Sequence, residues 1–185
     1  MIFRAVTPKR WTDFERLFEA RGGPKYCWCM AFRRDDSGRI PRTNAERKQA
    51  MASKIRCGTP VGILAYDDGE PVAWCSVAPR KTLAVYRGLE WPEGDPSTVW
   101  SITCFYVKRG IRRGGVMSRL IDEAVAHAGR NGATVVEAYP VAPDSPSYRF
   151  CGFVPVFAER GFVEVGRAGV RRHVMRRELG RQPVE

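Results

Sequence analysis

This sequence lacks the spacing of histidine and cysteine residues that is typical of a metal site. It has two histidines, His127 and His173, far apart in the chain, and six cysteines of which only Cys27 and Cys29 lie close together. A zinc site usually needs a second matched pair of ligands, so we expect no metal. In a chain of 185 residues, cysteines inside apolar runs such as VAWCSVA are typical of reduced, buried thiols.

Long apolar runs and a signal-peptide pattern are also missing. No stretch is apolar over the length that a bilayer-spanning helix needs. The first residues, MIFRAVTPKRW, carry charge early and contain no apolar run of signal-peptide length. We therefore expect a cytoplasmic protein that does not bind membranes.

Two common phosphate-binding motifs are absent as well. The sequence has no GxxxxGKS/T and no GxGxxG followed by a ribose-binding acid, so neither nucleotide hydrolysis nor dinucleotide binding is indicated. Acidic residues number 20 against 31 basic ones, which gives a formal net charge of +11. No zinc-finger spacing or RNP-like aromatic motif accompanies this charge, so a small anion is favoured over a nucleic acid.

Hydrophobic periodicity predicts strands and helices in alternation. The strand, helix and strand over 99–141 predict a right-handed crossover between parallel strands. Residues 79–98 are predicted to form an irregular segment. The whole pattern fits one α/β (α+β) domain over 1–185. The predicted elements are a strand at 1–7, helices at 11–23 and 43–58, a hairpin at 61–78 that turns at Asp68-Gly69, a strand at 99–107, a helix from Val116 to Asn131-Gly132, a strand at 133–141 and a last hairpin at 161–179.

The junction FYVKRGIRRGGVMSRLI at 105–121 joins a predicted strand to an amphipathic helix. The first amides of a helix have no intrahelical partner, and the helix dipole is positive there, so an anion is stabilised at this end. Gly114 and Gly115 permit close approach, Ser118 offers a hydroxyl, and Arg112 and Arg113 add forked positive charge. The junction therefore predicts a site for a phosphate-bearing small molecule, with an ordinary exposed turn as the alternative.

This junction resembles the pyrophosphate loop of the GNAT N-acetyltransferases, which reads Q/R-x-x-G-x-G/A between a central strand and a helix. The segment RRGGVM matches at Arg112 and Gly115 and departs at Met117, where the family prefers glycine or alanine. The late segment FAERGFVEV is similar to the family's Y-x-x-x-G-F motif. The resemblance implies a mixed, mostly antiparallel central sheet of about six to seven strands with a splayed parallel pair, flanked by helices.

The resemblance also implies acetyl-CoA as co-substrate, bound between the strands at 99–107 and 133–141. The pantetheine arm is expected along the first of these strands and the pyrophosphate at the loop. The implied coenzyme-binding residues are Phe105, Tyr106, Val107, Arg112, Arg113, Gly114, Gly115, Val116, Met117 and Ser118.

The chemistry implied by the resemblance is direct attack of an amine on the thioester, which needs a base and an acid. We expect Glu137 to be the base, because burying a carboxylate in an apolar strand costs free energy unless the group has a catalytic role or an ion-pair partner. A structural ion pair with an arginine is the alternative. Family members often have a tyrosine, as the general acid, at the position where this chain has Phe157. Tyr148 is therefore the candidate acid, and an ordinary aromatic contact on a loop is the alternative. Cys104 is a weaker candidate for an acyl-enzyme, because no histidine is positioned by sequence to activate it.

The acceptor side is implied to include the segment YCWCMAFRR, which is rich in aromatic residues. We predict Trp28 and Tyr139 as acceptor contacts, with a core position as the alternative for Trp28. The favoured acceptor is a primary amine of a small molecule, and a protein lysine or N-terminus is second. The alternative from another functional class is a binding module on the same scaffold, either a non-catalytic acyl-CoA-binding module or a basic nucleic-acid-binding module. A homodimer is left open.

Overall fold

The chain alternates helices with the strands of one mixed sheet, and the computed structural model describes residues 1–84 and 98–180. None of the described helices is long and apolar enough to cross a membrane. The strands are β1 (Ile2–Ala5), β2 (Ile63–Asp67), β3 (Glu70–Pro79), β4 (Val99–Val107), β5 (Val135–Ala138), β6 (Val163–Ala168) and β7 (Arg172–Glu178). The α-helices are α1 (Trp11–Glu19), α2 (Asn44–Arg56), α3 (Val116–Arg130) and α4 (Val154–Ala158).

The seven strands form one sheet in the order β1-β2-β3-β4-β5-β7-β6. Every neighbouring pair is antiparallel except β4 and β5, which are parallel. The predicted mixed, mostly antiparallel sheet with one parallel pair is therefore confirmed. Of the irregular segment predicted at 79–98, residues 85–97 lie outside the described residues.

Local sequence signals account for the turn between β2 and β3 and for the buried face of α3. Asp68 and Gly69 both have positive φ, +45° and +79°, as the predicted tight hairpin turn requires. Every apolar residue of the stripe on α3 is buried, because residues spaced three and four apart share one helix face. That stripe is Val116, Leu120, Ile121, Ala124, Val125 and Ala128.

The parallel pairing of β4 and β5 is short. It runs from Val99 opposite Val135 to Ile102 opposite Ala138, and β4 then continues through 103–107 beyond the end of β5. On its other edge β4 remains paired with β3, with a register shift at Thr103. The two parallel strands therefore separate, and the sheet opens beside the second half of β4.

Two apolar cores cover the two faces of the sheet. Successive residues of a strand point to opposite faces, so Trp74 and Tyr106 pack with α1 and α2, whereas Cys75 and Phe105 pack with α3. The α1 side is rich in aromatic rings; Phe14 and Phe18 stack with centroids 4.1 Å apart. By the same alternation, Cys104 points to the aromatic side of the sheet.

The start of α2 allows a direct test of the fold. The Thr43 hydroxyl accepts a hydrogen bond from the Glu46 amide (3.1 Å), and the Glu46 carboxylate accepts one from the Thr43 amide (2.9 Å). We expect Thr43→Ala to lower the free energy of unfolding by about 1 kcal/mol, because one helix amide loses its acceptor. Thr7→Ala is the matched control, since Thr7 precedes a short helix without capping it. Equal losses in the two variants in urea denaturation would contradict this assignment.

Candidate functional site

A cavity of about 860 Å³ opens where β4 leaves β5. Most of its wall comes from four parts of the chain: the second half of β4, the loop that leads into α3, residues 18–32, and residues 149–156. Backbone and side-chain groups from strand, loop and helix end thus meet in one space. The lining includes Cys104, Phe105, Tyr106, Val107, Arg112, Arg113, Gly115, Val116, Met117, Ser118, Tyr26, Cys27, Cys29, Phe32, Arg149 and Phe150.

The loop before α3 has the geometry of an anion site. Gly115 occupies the N-cap position with φ +71°, no side chain caps the helix among the described residues, and its first turn has no acidic residue. Arg119 N donates to Gly115 O (3.2 Å), so the amides of residues 116–118 precede the first bond of that helical turn. A Cβ added at Gly115 would meet nothing within 4 Å, so space is free above these amides. The positive helix end therefore faces open space in the cavity.

Two arginines stand on this loop. The Arg112 Nε donates to Val107 O (2.9 Å), which ties the loop to the end of β4. Arg113 has a positive φ of +70°, an uncommon conformation for a residue with a side chain. Both side chains line the cavity, so positive charge lies beside the helix end. Of the ten coenzyme-binding residues predicted from the sequence, all except Gly114 line the cavity.

Glu137, a residue of β5, lies in a buried charged cluster. It is fully buried, and the Arg176 Nε donates to its Oε2 at 2.7 Å. Arg80 Nη1 lies 3.4 Å from the same oxygen, and the Tyr139 hydroxyl donates to Oε1. The ion pair that the sequence left as the alternative is thus present, and Glu137 is not among the described residues of the cavity wall. Its role as the base stays a prediction.

Tyr139 belongs to the same buried cluster. The side chain is fully buried, and its hydroxyl lies 3.4 Å from the Ser101 hydroxyl. Burial and the neighbouring Glu137 raise the pKa of Tyr139 well above its usual range. The described cavity wall does not include it, so its contacts favour a structural role over the predicted acceptor contact.

Trp28 also lies in the core rather than on the cavity wall. Its ring stacks on Phe18 with centroids 5.6 Å apart, and the Lys48 ammonium lies 5.2 Å from the ring centre. Its neighbours Cys27 and Cys29 do line the cavity. The segment named as the acceptor side therefore contributes to the wall, but through residues other than the predicted tryptophan.

Tyr148 lies next to the cavity, on the loop after β5. It has a left-handed backbone with φ +58°, and the Arg172 guanidinium lies 4.7 Å from its ring centre. The next two residues, Arg149 and Phe150, line the cavity, whereas Tyr148 does not. Its role as the acid stays a prediction. Phe157, in the position where the family has tyrosine, is fully buried against Phe162.

Similarity to a known protein family identifies the class of protein to which this chain belongs. The model of the Acetyltransferase (GNAT) family matches residues 11–153, so the chain belongs to this family and is an acyltransferase. No curated protein matches the sequence.

Solved structures with the same fold include proteins with different acceptors. The chain is similar to a ribosomal-protein-alanine N-acetyltransferase from Brucella melitensis, with 17% identity, a TM-score of 0.58 and coverage of 97% of this chain and 100% of the other. It is also similar to the aminoglycoside acetyltransferase AAC(6')-Ib in complex with coenzyme A, with 16% identity, a TM-score of 0.60 and coverage of 95% and 93%. An N-acetyltransferase from Staphylococcus aureus Mu50 has 13% identity, a TM-score of 0.56 and coverage of 98% of both chains. At these identities the likeness establishes the fold.

The variant Glu137→Gln separates the two interpretations of the buried carboxylate. Glutamine places an amide NH₂ against arginine donors and removes the charge that balances them, so we expect the free energy of unfolding to fall by about 3 kcal/mol. If the carboxylate serves only the ion pair, turnover of the folded variant stays close to that of the parent. Urea denaturation and a free-CoA release assay measure the two effects.

Glu164→Gln is the control, because Glu164 is an exposed carboxylate that also pairs with basic side chains, Arg167 and His173. Its loss should change stability little, as for surface pairs in general. Unchanged stability of Glu137→Gln together with turnover lowered by a factor on the order of 10² would instead establish Glu137 as the base.

Proposed function

We propose that this protein is an N-acetyltransferase that transfers the acetyl group of acetyl-CoA to a primary amine of a small molecule. One observation carries the proposal: the uncapped N-terminus of α3, headed by Gly115, faces the cavity that the separation of β4 and β5 creates. A site of this kind suits the pyrophosphate of a coenzyme, because backbone amides and the helix dipole stabilise its charge. The proposal treats 1–185 as one acetyltransferase domain.

The second half of β4 supports the placement of the pantetheine arm. Residues 105–107 line the cavity on the edge that β5 no longer covers. A strand edge offers amide and carbonyl groups to a ligand amide, as it does to a neighbouring strand. We place the pyrophosphate at 112–118 and the pantetheine arm along β4, from Val107 towards Cys104. The thioester would then lie close to Cys104, near the end of the pairing between β4 and β5.

The rest of the lining supports a small acceptor. The lining includes Tyr26, Phe32 and Phe150, and no aspartate or glutamate is among the described lining residues. An acceptor with several positive charges would gain little in such a cavity, whereas an amine on an apolar or aromatic body would bury its surface well. A protein lysine or N-terminus is the second candidate, since the similar structures include one enzyme named for a ribosomal protein.

The variant Gly115→Glu tests the coenzyme site. The carboxylate would occupy the space above the helix end and repel the pyrophosphate, so we expect the thermal stabilisation by acetyl-CoA to disappear. Differential scanning fluorimetry with and without acetyl-CoA measures this.

Gly132→Glu is the matched control, since Gly132 follows the other end of the same helix with φ +84° and equally free space. Both variants put a side chain at a left-handed position, so both should melt earlier than the parent. Only Gly132→Glu should retain the response to acetyl-CoA. A parental response of Gly115→Glu would place the coenzyme elsewhere.

A further inference from the structure

Three cysteines from distant parts of the chain lie together on the cavity wall. Cys27 and Cys29 come from the segment after α1, and Cys104 comes from β4. No group of three or more histidine, cysteine or acidic side chains in the described chain is arranged to hold a metal ion. The cluster therefore needs a different explanation, and its surroundings point to one.

Arg33 lies behind this cluster and is almost fully buried, with 2% of its surface exposed. It donates to Cys29 O (2.9 Å), Val61 O (2.9 Å) and the Ser76 hydroxyl (3.0 Å), and its Nη1 lies 3.9 Å from the Cys29 Sγ. No carboxylate forms a salt bridge with Arg33 in the described part of the chain. A buried guanidinium is costly without a counter-charge, and the nearest group able to carry one is the Cys29 thiol.

The other neighbours of Cys29 also favour the anion. The Trp74 indole Nε1 donates to its sulfur at 3.3 Å, and Cys104 and Ser76 are its other side-chain hydrogen-bond partners. The contact with Cys104, the charge of Arg33 and the contacts with Trp74 and Ser76 lower the pKa of Cys29 to about 6, against the opposing effect of burial. Burial raises the pKa of Cys27 to about 11, and the hydrogen bond with Cys29 raises that of Cys104 well above its usual range. Of the three thiols, only Cys29 has a lowered pKa, so its surroundings are the ones that favour a thiolate.

The position of the thiolate matches the expected end of the coenzyme. Cys104 lies on β4 at the closed end of the cavity, next to the residues proposed to hold the pantetheine arm. Trp28 and Cys29 have consecutive left-handed backbones, with φ +46° and +54°. This conformation is uncommon for residues with a side chain.

We propose that the Cys29 thiolate, held by Arg33, Trp74 and Cys104, attacks the thioester of acetyl-CoA and carries the acetyl group before it passes to the amine. The proposal rests on the proposed function and replaces direct attack with two steps. The sequence offered Cys104 for such a step and no histidine to activate it. In this proposal the nucleophile is Cys29, and the activating groups are an arginine, an indole and a second thiol.

Atoms and charges balance in both steps. In the first, a Cys29 Sγ–acetyl bond forms, the bond between acetyl and the CoA sulfur breaks, and CoA leaves as its thiolate. In the second, a neutral amine forms the amide bond and releases the Cys29 thiolate, and the surplus proton of the amine goes to the CoA thiolate released in the first step. The net reaction converts acetyl-CoA and an amine into an acetamide and free CoA.

The charge state of Cys29 is tested first, without any coenzyme. The full-length protein is alkylated with iodoacetamide across a pH series, and peptide mass spectrometry follows each cysteine. Because only the thiolate reacts, Cys29 should be modified above a midpoint near pH 6 and protected below it. The charged and titratable groups around it are Arg33, Cys27, Cys75, Cys104 and Cys151.

Cys104→Ala should move this midpoint upward by about one unit or more, because the first donor to the thiolate is lost. Cys57 is exposed and outside the cavity, so it serves as the internal reference. An unchanged midpoint in Cys104→Ala, or a midpoint for Cys29 as high as that of Cys57, would overturn the assignment of the thiolate.

The acetyl step is tested with acetyl-CoA alone. After incubation without any amine, peptide mass spectrometry should find acetyl on Cys29, removable by hydroxylamine as a thioester is. Labelled CoA should also exchange into acetyl-CoA without an amine, since only a covalent intermediate permits this exchange. Cys29→Ser should lose both signals, and Cys57→Ser should retain them.

Thermal stabilisation by acetyl-CoA, measured on the same samples, separates the two proposals. If the parent is stabilised but Cys29 stays unmodified and no exchange occurs, the acetyl-cysteine step is wrong and the coenzyme site stands. If acetyl-CoA does not stabilise the parent, the proposed function itself fails. Cys29→Ser must keep the response to acetyl-CoA, which shows that the loss of both signals is not a loss of fold or of binding.

Discussion

The early separation of two parallel strands determines the position of every group in the candidate site. β4 and β5 stay paired only as far as Ile102 and Ala138, and β4 then runs on beside an opening. The crossover helix α3 must begin where β4 ends, so its uncapped N-terminus faces that opening. A longer parallel pairing would close the cavity and cover the strand edge that a pantetheine arm needs. The anion site and the edge thus follow from one feature of the sheet.

Two buried clusters contain arginine, and they differ in the group that the arginine faces. Glu137 forms ion pairs with an arginine from β7 and with one from the turn after β3. Among residues 1–84 and 98–180, Arg33 forms no salt bridge with a carboxylate, and its Nη1 lies 3.9 Å from the Cys29 thiol on the cavity wall. A buried charge that lacks a carboxylate favours ionisation of its neighbour, which is how a cysteine becomes nucleophilic. The contacts of the first cluster fit an ion pair within the fold, and those of the second carry the proposal of a nucleophilic thiol.

Local patterns predicted the parts of this protein that short-range physics determines. The stripe on α3 and the Asp68-Gly69 turn follow from periodicity and from backbone preference, and the loop at 112–118 follows from glycine and arginine next to a helix start. The partners of Glu137 could not be read this way, because they lie 57 and 39 residues away and meet only through strand pairing. The cluster of three thiols could not be predicted for the same reason. The CxC spacing places Cys27 near Cys29, but Cys104 comes from a distant strand.

Hydrogen exchange of the backbone amides tests the central claim most directly, which is that the coenzyme binds between β4 and the start of α3. With acetyl-CoA present, we expect slower exchange at residues 105–107 and 116–118, because these amides gain ligand acceptors, and little change in α2. Protection confined to other segments, or no protection at a concentration of acetyl-CoA that stabilises the fold, would contradict the account.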